Sequence, residues 1–221
     1  MIFIKKIKSS DYVMLLSMLL IISILGNIYV LFKLNNYKFK LGQQSYIEIE
    51  DFKQRNESNM DVLAKSIEEG SIKNEELLRL YKNYDAMSSD TIELWQQYRS
   101  YSQDSITIFS KNIKANKIVE NDIQSKMKEY MFSTLSKEMK NENKKMELKD
   151  DDLQYFEYMN EISSRIYEYL NEFGNETLQG ATGEEKEKMV VKKYYWIDML
   201  EGIYNISNDY AGVQWKIETA D

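Results

Sequence analysis

Arg99 is the residue on which the chemistry of this sequence would turn, because it falls on a mostly apolar seam. Ile92, Trp95, Arg99, Ser102, Ile106, Phe109 and Ile113 follow one another at steps of three and four, the spacing that places side chains on one face of a helix. A guanidinium on such a face needs a carboxylate from another helix, an escape to solvent or a bound group, since an unpaired buried charge is costly. An internal ion pair is the expectation. Trp95, Tyr98 and Tyr101 around it, with Trp196 in the run Tyr194-Tyr195-Trp196, form the candidate pocket or interface. Rings with polar tips can hold sugars, amines or peptides, and they also fill helical cores; packing is their expected use here.

The remaining candidates for chemistry are weaker. Asp150, Asp151 and Asp152 suggest calcium, but the alternating ligands, central Gly and closing Glu of a calcium loop are missing, so the run reads as offering the N-cap of a helix. The loop Gly180-Ala181-Thr182-Gly183 with Lys186 lacks the G-K-[ST] ending of a phosphate-binding loop. Glu142 and Glu147, or Glu184, Glu185 and Glu187, read as solvated acids on charged helices rather than as a carboxylate pair for hydrolysis. The 221 residues contain no cysteine and no histidine. Thiol catalysis, lipidation on cysteine, disulfides and Cys/His zinc sites are thereby excluded, and the commonest general base is absent. No catalytic residue, cofactor or metal ligand is expected, and the chain reads as a non-enzyme. A net charge of −7 with only Arg55, Arg79, Arg99 and Arg165 argues against a nucleic-acid partner.

What must position these residues begins with a membrane anchor. Tyr12 to Phe32 holds Leu15, Leu16, Leu19, Leu20, Ile21, Ile22, Ile24 and Leu25 without a charge, about the length a helix needs to cross a hydrocarbon core of ~30 Å. Lys5, Lys6 and Lys8 precede it, and Lys33, Lys38 and Lys40 follow. The run is longer than a signal-peptide core and ends without an A-x-A site, so an uncleaved signal anchor is expected. The lysines balance, and the positive-inside rule says little. The short basic tail places the N-terminus in the cytoplasm, and residues 1–33 carry net +3, leaving −10 for the rest outside. Within the span, Ser23, Gly26 and Asn27 are the candidate contact with another membrane helix.

Proline is absent from the whole chain, so long helices are permitted throughout, and the fold expected is all-α. The predicted organisation is a basic tail (1–11), a single-pass transmembrane helix (12–33), a helical stalk (34–70), an antiparallel bundle of about four helices (71–210) and a C-terminal tail (211–221). Ile49, Phe52, Met60, Leu63 and Ile67 face one side of the stalk. In the bundle, a helix from Ile72 presents Leu77, Leu80, Tyr81, Tyr84 and Met87; Asp90 with Glu93 forms a capping box that opens the next; a third runs from Lys117 to Met146 with Ile123, Met127, Tyr130, Met131, Leu135 and Met139 as its stripe. A fourth carries Leu153, Phe156, Met159, Ser163, Ile166, Leu170 and Phe173 up to Gly174, and Thr182 with Glu185 caps a last helix that ends near Tyr210. Lys, Asn, Ile and Tyr enrichment fits an AT-rich bacterial genome. These features predict an extracytoplasmic interaction or scaffold protein at a bacterial cell membrane, with the lipid bilayer, other envelope proteins or further copies of itself as partners. A ligand-sensing ectodomain that signals through a partner membrane protein is the alternative.

Overall fold

No proline interrupts the first helix, α1, which runs from Ser9 to Glu69 in the computed structural model; the structure describes residues 9–103, 118, 121–140 and 144–217. Gly70 ends it at φ +63, a left-handed conformation that glycine adopts without steric cost. Residues 1–41 and 42–221 form two compact units. In the first, the large apolar side chains from Tyr12 to Phe32 are 49% (Ile24) to 71% (Leu16) exposed. Among the described residues this is the one helix long and apolar enough to cross a membrane by length and composition.

The second unit begins inside α1. Ser45, Ile49, Phe52, Asn56, Asn59, Leu63 and Ser66 lie at alternating steps of four and three, and none is more than 2% exposed. From Gly42 onward the predicted stalk is therefore a bundle helix. Its sequence disguises this, because four of the seven buried side chains are Ser or Asn.

After Gly70, a short strand β1 (Ser71–Lys73) leads into α2 (Asn74–Gln103). Leu77, Leu80, Tyr84, Met87, Thr91, Leu94, Tyr98 and Tyr101 form its buried face, again at alternating steps of three and four. The capping box expected at Asp90 is instead helix interior. The predicted seam through Ile92, Trp95 and Arg99 is thus one residue out of phase, and Ile92 is 49% exposed. Phase is set by the earlier turns, from Leu77 to Met87, which the continuous helix carries forward. Ile106, Phe109 and Ile113 lie outside the described residues.

α3 (Ile123–Lys140) buries Ile123, Met127, Tyr130, Met131 and Leu135, whereas Met139, expected on that stripe, is exposed. The helix predicted to reach Met146 stops earlier, since Lys145–Glu147 is a strand, β2, antiparallel to β1. Ile72 faces Met146 in this ribbon, and both are buried. The ribbon qualifies the all-α expectation and ties the α1–α2 turn to the α3–α4 connection, extended by Leu148 N–H to Gly70 O at 2.9 Å.

α4 (Asp150–Glu176) buries Phe156, Met159, Ser163, Ile166 and Leu170 as the spacing predicts, whereas Leu153 and Phe173, near its two ends, are only half-buried, and the helix runs two residues past Gly174. Lys149, not an aspartate, is its N-cap, and the three aspartates occupy the first turn, where they suit the helix dipole. Thr182 caps the next helix by position, though its hydroxyl makes no capping bond. The predicted last helix is two, α5 (Gly183–Lys192) and α6 (Tyr195–Asn208), broken where Tyr194 takes φ +60. Residues 211–217 form neither helix nor strand, but they are fastened: Trp215 stacks on Tyr155 at 5.2 Å, and the Tyr155 hydroxyl donates to Gln214 O at 2.8 Å.

Cross-helix bonds give the directions. Asn83 reaches Asn59 and Lys65 reaches Glu76, so the bundle part of α1 runs antiparallel to α2. Asn56 meets Ser163 and Lys53 meets Asn171, so it is antiparallel to α4 as well. Ser88 with Ser125 and Tyr81 with Phe132 set α3 antiparallel to α2.

Candidate functional site

The predicted pocket residues divide between the core and the surface. Tyr98, Tyr101 and Trp196 are at most 3% exposed. Tyr101 meets the Tyr194 ring at 5.0 Å and the edge of Trp196 at 5.8 Å, and burial, then its contact with Tyr194, pushes the Tyr101 hydroxyl pKa up. Trp196, on α6, and Val191, on α5, lie against α1 at Gly42. A Cβ at Gly42 would lie 3.1 Å from Val191 and 3.5 Å from the Trp196 Nε1, so glycine permits that approach. Arg99 does not join this cluster. It is exposed, with its guanidinium 4.6 Å from the centre of the Trp95 ring, which removes the need for an internal carboxylate and corrects the expected buried ion pair.

A polar seam between α1 and α2 is what sequence reasoning missed. The Gln97 amide donates to both Glu48 carboxylate oxygens, at 2.8 and 2.9 Å, and the Ser45 hydroxyl donates to Gln97 Oε1. Burial raises the Glu48 pKa, opposed by the amides of Gln97 and Gln44. Farther along, burial pushes Asp90 up to about 6 against the pull of Arg55, helped by Asp51 and Glu93. Asp90 Oδ2 and Arg55 Nε are both buried without a hydrogen-bond partner. Deeper still, Asn83 on α2 donates to Asn59 Oδ1 at 2.7 Å, and Asn56 turns instead to α4, donating to Ser163 O at 2.8 Å. The three-and-four spacing from Ser45 to Ser66 was the available signal, once Ser and Asn are admitted to a buried face.

Charged candidates are mostly neutralised by neighbours. A cleft of about 630 Å³ is lined by Asp150, Asp151, Asp152, Tyr130, Met146 and Lys216 among others. There Tyr130 donates to Asp152 at 2.7 Å and Lys216 pairs with Asp151. Lys186, beside the Gly180–Gly183 loop, turns to Glu50 at 2.7 Å, so no phosphate cradle forms. Glu147 pairs with Lys149 at 2.5 Å and Glu184 with Lys188 at 3.7 Å, and Glu142 lies outside the described residues. Among the described residues, no three acidic side chains converge where a metal ion could sit.

In the apolar helix, Asn27 Nδ2 donates to Ser23 O at 2.8 Å, one turn back, and the space where a Gly26 Cβ would stand is open. Comparison of the chain with protein-family models, curated proteins and solved structures finds no match.

Proposed function

We propose that this chain is a membrane-anchored helical interaction protein, a scaffold component of a bacterial envelope assembly, and not an enzyme. Residues 12–33 anchor it, with residues 1–11 in the cytoplasm and the unit from Gly42 outside. One contrast carries this reading. Between Tyr12 and Phe32 the large apolar side chains are exposed, whereas the unit from Gly42 buries Ile49, Phe52, Leu63, Leu80, Phe156 and Leu200 completely. A continuous apolar surface of that length on a helix finds its solvent in lipid. An interaction role is supported by Leu78, Phe132 and Met139, apolar side chains on α2 and α3 that are 39%, 50% and 65% exposed. A ligand sensor would use the charged cleft, but the Lys216 and Tyr130 partners of Asp151 and Asp152 favour the scaffold.

Single cysteines test the topology cleanly, since the chain has none. Ser89→Cys and Thr182→Cys, both at exposed positions, are expected to react with a membrane-impermeant thiol reagent in intact cells. Reaction only after lysis would reverse the orientation. Crosslinking in native membranes should then recover a stable envelope partner; recovery of the chain alone with a small molecule bound would favour the sensor.

A further inference from the structure

Ser23 and Asn27, two polar side chains of the anchor, lie on one seam. Val13, Leu16, Leu20, Ser23, Asn27 and Val30 follow at steps of three, four, three, four and three, the heptad spacing by which helices pack in a left-handed pair. Ser17 lies off this seam, and its hydroxyl is already spent on Val13 O at 2.8 Å. Ser23 and Asn27 thus give a mostly apolar surface a direction.

Asn27 is the residue that needs a partner. It stands five residues past Ile22, the middle of Tyr12–Phe32, which is roughly 7–8 Å from the centre of a core whose half-thickness is ~15 Å. Among the described residues, its one hydrogen bond is Nδ2 to Ser23 O. Among the described residues the second amide N–H and Oδ1 meet no partner, because the helix's own N–H groups are committed to carbonyls four residues back. In hydrocarbon such groups are costly unless another protein group meets them.

We propose that the anchor pairs in parallel with a second copy of this chain along this seam, the two Asn27 carboxamides exchanging hydrogen bonds across a two-fold axis. The proposal rests on the membrane-anchored reading above. A carboxamide carries both donor and acceptor, so Nδ2–H can donate to Oδ1 of the partner's Asn27 while Oδ1 accepts from it. Identical copies insert with the same orientation and depth, so symmetry brings Asn27 opposite itself; a helix of different sequence would need a polar group at the same height. An isologous contact of this kind is the commonest route to a dimer, and one Asn in an apolar heptad seam fixes register. The missing side chain at Gly26, beside Asn27, lets the backbones approach.

Cysteine scanning of the full-length chain in its membrane decides the matter. Intact mass and membrane fractionation come first: a chain that is soluble, or shortened at its N-terminus, overturns the anchor reading and the pairing with it. In the membrane-resident protein, mild oxidation should give disulfide-linked dimer at Leu20→Cys, Ser23→Cys and Val30→Cys, and little at Met18→Cys, Leu25→Cys and Tyr29→Cys on the opposite face. Adding Asn27→Leu to Leu20→Cys should lower the dimer fraction about three- to thirtyfold, the range expected for losing a polar contact between membrane helices, while Asn27→Gln should retain most of it. Equal crosslinking around the helix, absence of dimer, no effect of Asn27→Leu, or an adduct heavier than two chains would each overturn the self-pairing, the last by placing another protein on this face.

Discussion

The Tyr169 ring lies across Gly202, so closely that a Cβ at Gly202 would overlap the ring atoms. This is one place where α4 and α6 meet, and the Tyr169 hydroxyl closes it by donating to Asp198 O at 2.7 Å. Gly202→Ala would improve helix propensity by roughly 1 kcal/mol, but it must displace the ring and its hydrogen bond. Overpacking usually costs about 1–3 kcal/mol and the lost bond about 1 more, so net destabilisation by about 1–3 kcal/mol is expected in urea melts. Tyr169→Ala should remove the penalty of the alanine, giving a non-additive double mutant; simple additivity would show that the ring does not hold the position.

Arg99 and Trp95 make an exposed cation–π pair, and such pairs are worth about 0.5–1 kcal/mol. Arg99→Ala should therefore shift stability by no more than about 1 kcal/mol. Trp196→Ala, which empties a fully buried site, should cost about 3–5 kcal/mol. A loss of several kcal/mol on removing Arg99 would restore the buried-pair reading.

How much could be read from the sequence depended on where polar residues sit. The α4 stripe was legible because Phe156, Met159, Ile166 and Leu170 are apolar, and a lone Ser163 does not hide them. The buried face of α1 was not, because Ser45, Asn56, Asn59 and Ser66 look like solvent residues until their partners on α2 and α4 are known. Asp90 with Glu93 has the local pattern of a helix start, and the pattern was misleading because no residue before it breaks the helix. Ile72 with Met146 joins segments more than seventy residues apart, so three-residue strands gave no local sign. Of the candidate site, the residue types at Tyr101 and Trp196 were legible and their meeting was not, since it requires α2 and α6 to cross.

The placement of Ile49, Phe52 and Leu63 in the core moves the boundary of the folding unit. A fragment of residues 42–221 should be soluble and mainly helical by circular dichroism, with a cooperative thermal melt. A fragment of 71–221, following the boundary predicted from sequence, lacks the helix that meets Tyr84, Met87 and Ser163, and it should melt without cooperativity or aggregate. Equal melts for the two would return residues 42–70 to the role of a stalk.

Asp90 gives the seam a dependence on pH whose sign can be worked out. Its carboxyl is pushed from 3.8 to about 6 in the folded protein, chiefly by burial, with Asp51 and Glu93 adding to the effect and Arg55 opposing it. Below about pH 4 both folded and unfolded chains hold this proton. Between about 4 and 6 the unfolded chain releases it first, so stability falls as pH rises, and above 6 the loss is complete. Glu48, raised in the same direction by burial, adds to the slope. After allowance for solvent screening, about 1–2 kcal/mol is expected from Asp90. Asp90→Asn keeps the shape without the charge. In the fragment 42–221, it should match the parent near pH 4 and exceed it by about that amount at pH 7, as read by urea unfolding at steps between. The readout is the difference between the two proteins, which cancels the titration of other carboxylates. Parallel stability curves over this range would mean that Asp90 ionises in the folded state as freely as it does in the unfolded chain.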